Sequence, residues 1–325
     1  MCEFPGTGGE IYDQDQHPRL ERCSGEVSLM SMPFEGASTI GCSDLYEVLE
    51  RIERLFAREG IPAGRLEKIG FAHRWTMVLA GGGQSGMAFN YTGEHAIYGP
   101  VDPSPIEAMR QWVGGDLLTA VRELLSWRGL LARSVCVAML NALSRPLCLE
   151  RRLLCRGIVP RQEEDFSFVR RGETVVVIGC GGVAEPLRRR CDTLHISDMR
   201  SPVALQTLTV DSGVHYGPSN VVFHGAEDNE ALLSDADVLF MTGAVLVNGT
   251  FEELMGYARN ARIVGMFGPS AQILPDFLID KRVHYITTSV LKDPEALFDH
   301  LTESVVEGRW GDYTEPRVVW TKGGL

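Results

Sequence analysis

The chain has 325 residues, of which 44% are hydrophobic and 23% are charged, and it carries a formal net charge of −12. This length and composition are typical of a soluble globular protein with about two domains. The negative charge argues against nucleic acid as a partner, because proteins that bind nucleic acids neutralise phosphates with basic side chains. The sequence lacks both the roughly 20-residue apolar run of a membrane helix and a signal-peptide pattern, so we expect a cytoplasmic protein without membrane contact.

Residues 1–40 are rich in Gly, Ser, Pro and charged residues and are predicted to form an irregular arm. The first helix is predicted over residues 45–56, where apolar residues recur at helical spacing, and Gly60 is expected to end it. Ser43 or Asp44 is expected to cap this helix, and Asp44 and Glu47 have the spacing of a capping box.

Two β-like runs, over residues 68–79 and 86–91, are separated by a glycine-rich loop at 81–85. This pattern predicts a β-hairpin, although a glycine-rich backbone can also let a ligand approach closely. A hairpin followed by helices is typical of an α+β domain. The helices are predicted over residues 104–112, 116–127 and 134–143.

Residues 145–172 form an arginine-rich segment interrupted by Pro146, and they are predicted to be a connector rather than a phosphate clamp. After it, short apolar runs alternate with helical patterns, which indicates a doubly wound, mainly parallel sheet with right-handed crossovers. Residues 199–219 are predicted to be irregular. The strands are predicted over residues 173–178, 193–197, 220–224, 238–241, 263–267 and 283–287.

Polar residues follow two of these strands, at the carboxyl edge where open α/β sheets bind ligands. Thr242 and Gly243 end one strand, and Gly268, Pro269 and Ser270 end the next. Because the carboxyl ends of parallel strands meet at one edge, these side chains and backbone turns are expected to share a pocket.

Two asparagines are further candidates for this pocket. Asn248, like Thr250, can cap the helix between the two strands, and helix capping contributes about 1 kcal/mol by itself. Asn141 could reach the cleft from the helix at 134–143, or it could serve as a cap or a core amide.

The stretch Gly179-x-Gly181-Gly182, between a buried strand and a helix, is similar to a nucleotide-binding turn. Asp198 ends the next strand, where a carboxylate can accept hydrogen bonds from both hydroxyls of a ribose. Ala184 stands where the third glycine of G-x-G-x-x-G would fall, and it is small enough to be tolerated. The turn would suit S-adenosylmethionine as well as NAD(P).

His195 and Cys180 are the candidate metal ligands, because imidazole and thiolate suit borderline and soft metals. A metal complex whose chelator supplies the ligands is an open alternative to a metal site built into the protein. Cys180 is also an outside candidate for a nucleophile, since it lies on a strand-to-helix turn. The other candidates for metal binding are Asp198, Asp211, His215 and His224.

Four stretches carry a resemblance to a known family: Thr242-Gly243, the run Leu246-Val247-Asn248-Gly249-Thr250, Gly268-Pro269-Ser270-Ala271 and, in the first half, Asn141-Ala142-Leu143-Ser144. They are similar to the family named "Putative heavy-metal chelation". The resemblance implies a C-terminal Rossmann-like domain preceded by a smaller enolase N-terminal-like domain.

The resemblance also implies a division of the chain near residue 129. Residues 1–128 are then the arm and the α+β domain, and residues 129–325, with the connector at 145–172, are the Rossmann-like domain. A homodimer is expected by analogy with such folds.

The leading hypothesis is a cytoplasmic protein that binds a small molecule or a metal complex between the two domains. The alternative is an enzyme that uses S-adenosylmethionine or NAD(P) at the same edge, for example in the biosynthesis of a metal-chelating metabolite. A third hypothesis is a scaffold with an empty pocket. The predicted binding residues are Gly179, Cys180, Gly181, Gly182, Asp198, Thr242, Gly243, Asn248, Gly268, Pro269 and Ser270.

Overall fold

The chain forms two β-sheets, one antiparallel with three strands and one mainly parallel with eight. The predicted α/β class, with a smaller α+β part in front of a doubly wound sheet, is confirmed. The predicted arm at 1–40, except for residue 40, lies outside the described residues, and so do Asp211 and His215. The computed structural model describes residues 40–92, 97–98, 104–200, 220–303 and 310–322.

Helix α1 (Tyr46–Glu59) follows a 3-10 turn and ends at Gly60, whose φ of 64° is left-handed as the sequence predicts. The predicted capping box is wrong. The Asp44 carboxylate pairs with the guanidinium of Arg133, and Glu47 pairs with Arg51 within the helix. A buried cation competes for the carboxylate more strongly than a backbone N–H does.

The antiparallel sheet contains β1 (Leu66–Ala72), β2 (Trp75–Ala80) and β3 (Gln84–Phe89), in the order β1-β2-β3. The single strand predicted over residues 68–79 is wrong, since the chain reverses at His73, which has a φ of 52°. The predicted hairpin between β2 and β3 is confirmed.

Helices α2 (Ser104–Arg110) and α3 (Leu117–Leu124) lead to α4 (Leu130–Ser144), in which every residue is buried. One side of α4 packs against β2 and β3. It also contacts the 3-10 turn Pro269–Gln272, which follows a strand of the larger sheet. The predicted division near residue 129 therefore precedes a helix that touches both parts of the molecule.

The larger sheet has the strand order β4-β11-β10-β9-β8-β5-β6-β7. Six strands, β5 to β10, correspond to the six predicted ones and run parallel. The other two, β4 and β11, were not predicted; they pair antiparallel along one edge, and β4 lies inside the segment predicted as a connector. The strands are β4 (Ile158–Arg161), β5 (Val175–Ile178), β6 (Leu194–Ser197), β7 (Val221–His224), β8 (Val238–Thr242), β9 (Ile263–Phe267), β10 (Tyr285–Leu291) and β11 (Thr314–Lys322).

The six parallel strands have the order of a Rossmann sheet, with β5 and β8 adjacent at its centre. The chain continues from β5 to one side and from β8 to the other, so a crevice forms at their carboxyl ends. Among the described helices, none is long and apolar enough to cross a membrane. The remaining helices are α5 (Glu150–Cys155), α6 (Ala184–Arg188), α7 (Asn229–Ser234), α8 (Ala244–Val247), α9 (Phe251–Tyr257), α10 (Pro275–Asp280) and α11 (Pro294–Glu303).

Candidate functional site

A cavity of about 660 Å³ lies at the carboxyl ends of β5, β6, β8, β9 and β10, next to aromatic residues of the antiparallel sheet. Its volume is within the range of roughly 300–1,000 Å³ that is usual for small-molecule sites. It lies at the point where the strand order of the parallel sheet reverses, which is where such sheets bind ligands.

The turn after β5 forms part of the cavity wall, and its glycines are required by close packing. Gly179 has a φ of 81°, and a Cβ there would lie 2.7 Å from Cγ2 of Thr242. A Cβ on Gly181 would lie 2.5 Å from Cε2 of Phe267. The glycines therefore let the ends of β5, β8 and β9 approach one another.

Asp198, at the end of β6, has a carboxylate that is only 8% exposed and is fully engaged. One oxygen accepts hydrogen bonds from Arg200 N (2.9 Å) and Arg200 Nε (3.0 Å). The other accepts from Cys180 N (2.8 Å) and Arg200 Nη2 (2.8 Å). Burial acts to raise the pKa of Asp198, but the hydrogen bonds from Arg200 and Cys180 outweigh it and hold the pKa below its usual value.

Aromatic rings line the side of the cavity that belongs to the antiparallel sheet. The ring centroids of Phe89 and Tyr91 are 4.7 Å apart, and those of Tyr91 and Tyr98 are 5.1 Å apart, both in edge-to-face geometry. The Tyr98 hydroxyl accepts a hydrogen bond from Asn248 Nδ2 (2.9 Å) and donates one to the Met199 sulfur (3.3 Å). These contacts connect the aromatic side to the strand ends of the parallel sheet.

A third side of the cavity is acidic. Glu227 and Glu230 come from the segment after β7, and Glu253 comes from α9. Glu253 accepts a hydrogen bond from the hydroxyl of Tyr257, which also lines the cavity. The lining thus combines aromatic, cationic and acidic surfaces.

The two predicted metal ligands have different surroundings. Cys180 lines the cavity, and its thiol pKa is raised by burial and by the negative charge of Asp198. His195 is outside the cavity lining and pairs instead with His224, with Nδ1 and Nε2 3.0 Å apart. In the part of the chain that the structure describes, no group of three or more His, Cys, Asp and Glu side chains could hold a metal ion. Within residues 40–92, 97–98, 104–200, 220–303 and 310–322, the donor set therefore does not fit a resident metal ion.

Two of the eleven predicted binding residues, Gly243 and Ser270, do not line the cavity. A Cβ on Gly243 would lie 2.3 Å from the backbone nitrogen of Ala271, so this glycine allows two loops to pack together. The Ser270 hydroxyl accepts a hydrogen bond from Phe89 N (2.9 Å), which joins the two sheets. The other nine line the cavity together: Gly179, Cys180, Gly181, Gly182, Asp198, Thr242, Asn248, Gly268 and Pro269.

Asn141 is also outside the cavity lining. Its amide nitrogen donates to the carbonyl of Met87 (2.7 Å), while Oδ1 is buried without a hydrogen-bond partner among the described residues. Asn141 is therefore a core amide that holds α4 to β3.

Several lining residues were missed by the sequence analysis. Thr287, Thr288 and Ser289 lie in β10, and the strand-end argument could have found them. Arg200 follows Asp198 by two positions, but nothing in the spacing indicates that it would pair with that carboxylate. The aromatic residues carry no local signal, because only tertiary packing brings them to the parallel sheet.

Two domain families match the chain, and both are described as "Putative heavy-metal chelation". DUF364 matches residues 165–319, and DUF4213 matches residues 54–144. The first match covers the parallel sheet and most of its helices, and the second covers the antiparallel sheet and α2 to α4. No curated protein matches the chain.

Solved structures with the same fold include two proteins of unknown function from the DUF364 family. The protein from Desulfitobacterium hafniense is 18% identical, with a TM-score of 0.62, and the match covers 85% of this chain and 99% of that one. The protein from Pyrococcus horikoshii is also 18% identical, with a TM-score of 0.56, and the match covers 84% of this chain and 98% of that one. At this identity the likeness concerns the fold alone. Both matches agree with the resemblance seen in the sequence: the chain carries a DUF364 domain and a DUF4213 domain, each described as "Putative heavy-metal chelation".

Proposed function

We propose that the protein binds a small, partly aromatic molecule, free or as a metal complex, in the cavity between the two sheets. The observation that carries this proposal is the lining itself. Aromatic rings on the side of the antiparallel sheet and polar strand ends of a Rossmann sheet together line a cavity of about 660 Å³. Small-molecule sites commonly combine apolar walls with a few polar groups that fix the orientation of the ligand.

Any metal enters as part of the ligand rather than as a resident ion. The described residues offer no group of three metal-binding side chains, and the carboxylate of Asp198 is already engaged. A chelator would supply the ligands that the protein lacks, and the aromatic side chains would contact its organic part. This proposal is consistent with the description of the family.

An enzyme that uses S-adenosylmethionine or NAD(P) is less well supported. The turn after β5 and Asp198 after β6 occupy the positions that a nucleotide site uses. A carboxylate has about four lone-pair positions, and four N–H groups already occupy those of Asp198. A ribose would therefore have to displace Arg200 before it could bind there.

Native mass spectrometry of gently purified protein, paired with elemental analysis, tests the proposal. We expect a bound organic mass, with or without stoichiometric metal, that is lost in Ala226→Trp, because Ala226 lines the cavity. Ala231→Trp is the matched control, since Ala231 is exposed and is not part of the lining. A ligand retained by Ala226→Trp would contradict the proposed site, and an adenosine-containing mass would support the enzyme instead. The same spectra measure the expected homodimer.

A further inference from the structure

We propose that the ligand of this cavity carries a carboxylate, and that Arg200 binds it. This inference rests on the proposed function and specifies the class of ligand. Asp198, at the end of β6, forms a hydrogen-bonded ion pair with Arg200. The cavity therefore presents the guanidinium of Arg200 where a nucleotide site would present a carboxylate.

Two of the three guanidinium nitrogens of Arg200 donate hydrogen bonds within the protein. Its Nε and Nη2 atoms donate to the two oxygens of Asp198, and Nη2 also approaches the carbonyl of Cys180 at 3.4 Å. Nη1 has no hydrogen-bond partner among the described residues. The side chain is 20% exposed and lines the cavity, so this nitrogen remains available to a ligand.

The guanidinium of Arg200 is held in position by its carboxylate partner. A surface arginine samples many rotamers, and ordering it costs entropy on binding. Here Asp198 holds Arg200 through two side-chain hydrogen bonds, and Asp198 is itself held by Cys180 N. Asp198 is thus a positioning residue, and Arg200 is the residue that contacts the ligand.

The charged side chains of the lining limit the charge that a ligand can carry. Arg74 and Arg200 are the cationic side chains in the lining, whereas Asp198, Glu227, Glu230 and Glu253 are acidic. A dianionic phosphate would be repelled by these carboxylates, while a monoanionic carboxylate can bind Arg200 and direct a neutral or cationic remainder toward the glutamates. The cavity therefore favours an aromatic carboxylate over a phosphate ester.

The test compares salicylate with salicylamide, which have the same ring and differ in charge. Isothermal titration should show that wild-type protein binds salicylate at least about tenfold more tightly, since hydrogen bonds to a charged group are stronger than neutral ones. In Arg200→Gln the two probes should bind equally, and Arg200→Lys should retain part of the preference. Arg188→Gln is the matched control, because Arg188 pairs with Glu185 and is not part of the lining.

Phenyl phosphate serves as the third probe and should bind more weakly than salicylate. Equal binding of salicylate and salicylamide to wild-type protein, or a preference that survives Arg200→Gln, would overturn the inference. If neither salicylate nor salicylamide binds, while the native ligand is still lost in Ala226→Trp, the carboxylate inference is overturned and the proposed function remains intact. If the probes bind and Ala226→Trp does not weaken their binding, the cavity is not their binding site.

Discussion

Asn248 and Tyr98 are joined by a hydrogen bond of 2.9 Å from the side-chain amide to the phenol oxygen. Asn248 lies between α8 and α9, on the parallel sheet side, while Tyr98 belongs to the segment that follows the antiparallel sheet. The bond therefore joins the aromatic side of the cavity wall to the side formed by the parallel sheet.

Replacing Asn248 with alanine should reduce ligand retention and lower the free energy of unfolding by about 1–2 kcal/mol. The change removes the bond to Tyr98 and the acceptor for Thr250 N and Thr250 Oγ1. Urea denaturation and native mass spectrometry measure the two effects. Asn260→Ala, at an exposed position, is the control and should change stability by less than about 0.5 kcal/mol. Equal effects of the two substitutions would contradict this role of Asn248.

Arg133 should be more sensitive to substitution than its partner Asp44. The Arg133 side chain is 2% exposed and donates to Leu246 O (2.7 Å) as well as to both carboxylate oxygens of Asp44, which is 49% exposed. Arg133→Met removes the donor to the carbonyls of Leu246 and Gly41 and should cost about 3 kcal/mol. Asp44→Asn should cost about 1 kcal/mol, because it keeps an acceptor and water can reach it. Urea midpoints that reverse this order would refute the argument.

The protein should lose stability as the pH falls below about 7, in part through His284. Burial lowers the pKa of His284, and the charge of Arg282 lowers it further. The unfolded chain, with a histidine pKa of about 6.5, binds a proton first. Stability is therefore full above that value and falls as the pH drops toward the folded pKa. His284→Asn, which keeps an acceptor but does not titrate, should flatten the dependence of the urea midpoint on pH between 8 and 6; an unchanged slope would exclude His284.

Two glycine-to-alanine substitutions should have opposite effects. Gly181→Ala places a Cβ 2.5 Å from Phe267, which must move, so we expect a loss of about 1–3 kcal/mol and weaker ligand binding. Gly256→Ala, in α9, meets nothing within 4 Å and should stabilise the protein by about 0.5–1 kcal/mol. Thermal unfolding of both variants measures the difference, and a neutral Gly181→Ala would show that Phe267 can move freely.

Alkylation at neutral pH should distinguish three thiols. Cys155 is exposed and should react first, whereas Cys148 is half-buried and burial raises its pKa to about 12, so it should react much more slowly. Cys180 should react slowly, because burial and Asp198 raise its thiol pKa. Peptide mapping after timed iodoacetamide treatment gives the three rates. Rapid, selective labelling of Cys180 would instead support its role as a nucleophile.

The parallel strands could be predicted because each is a short apolar run that is buried on both faces. Val238–Thr242 and Ile263–Phe267 are clear examples, and the polar residues after them lead directly to the cavity. Strands β4 and β11 were harder to predict, because each contains a proline, which is depleted in strands, and β4 is only partly buried. Hydrophobic periodicity reports burial, not the partner of a strand at the sheet edge.

The sequence by itself determined the Rossmann-like order of elements, the resemblance to the "Putative heavy-metal chelation" family, and the sheet edge at which the cavity lies. Local patterns are sufficient for this because strand, turn and helix signals span only a few residues. Only the tertiary structure decided which groups the cavity offers. Arg200 occupies the acceptor positions of Asp198, and Tyr98 reaches Asn248 across 150 residues of sequence. Hydrogen-bond competition and long-range packing depend on three-dimensional distances, so the residue types and their spacing do not contain this information.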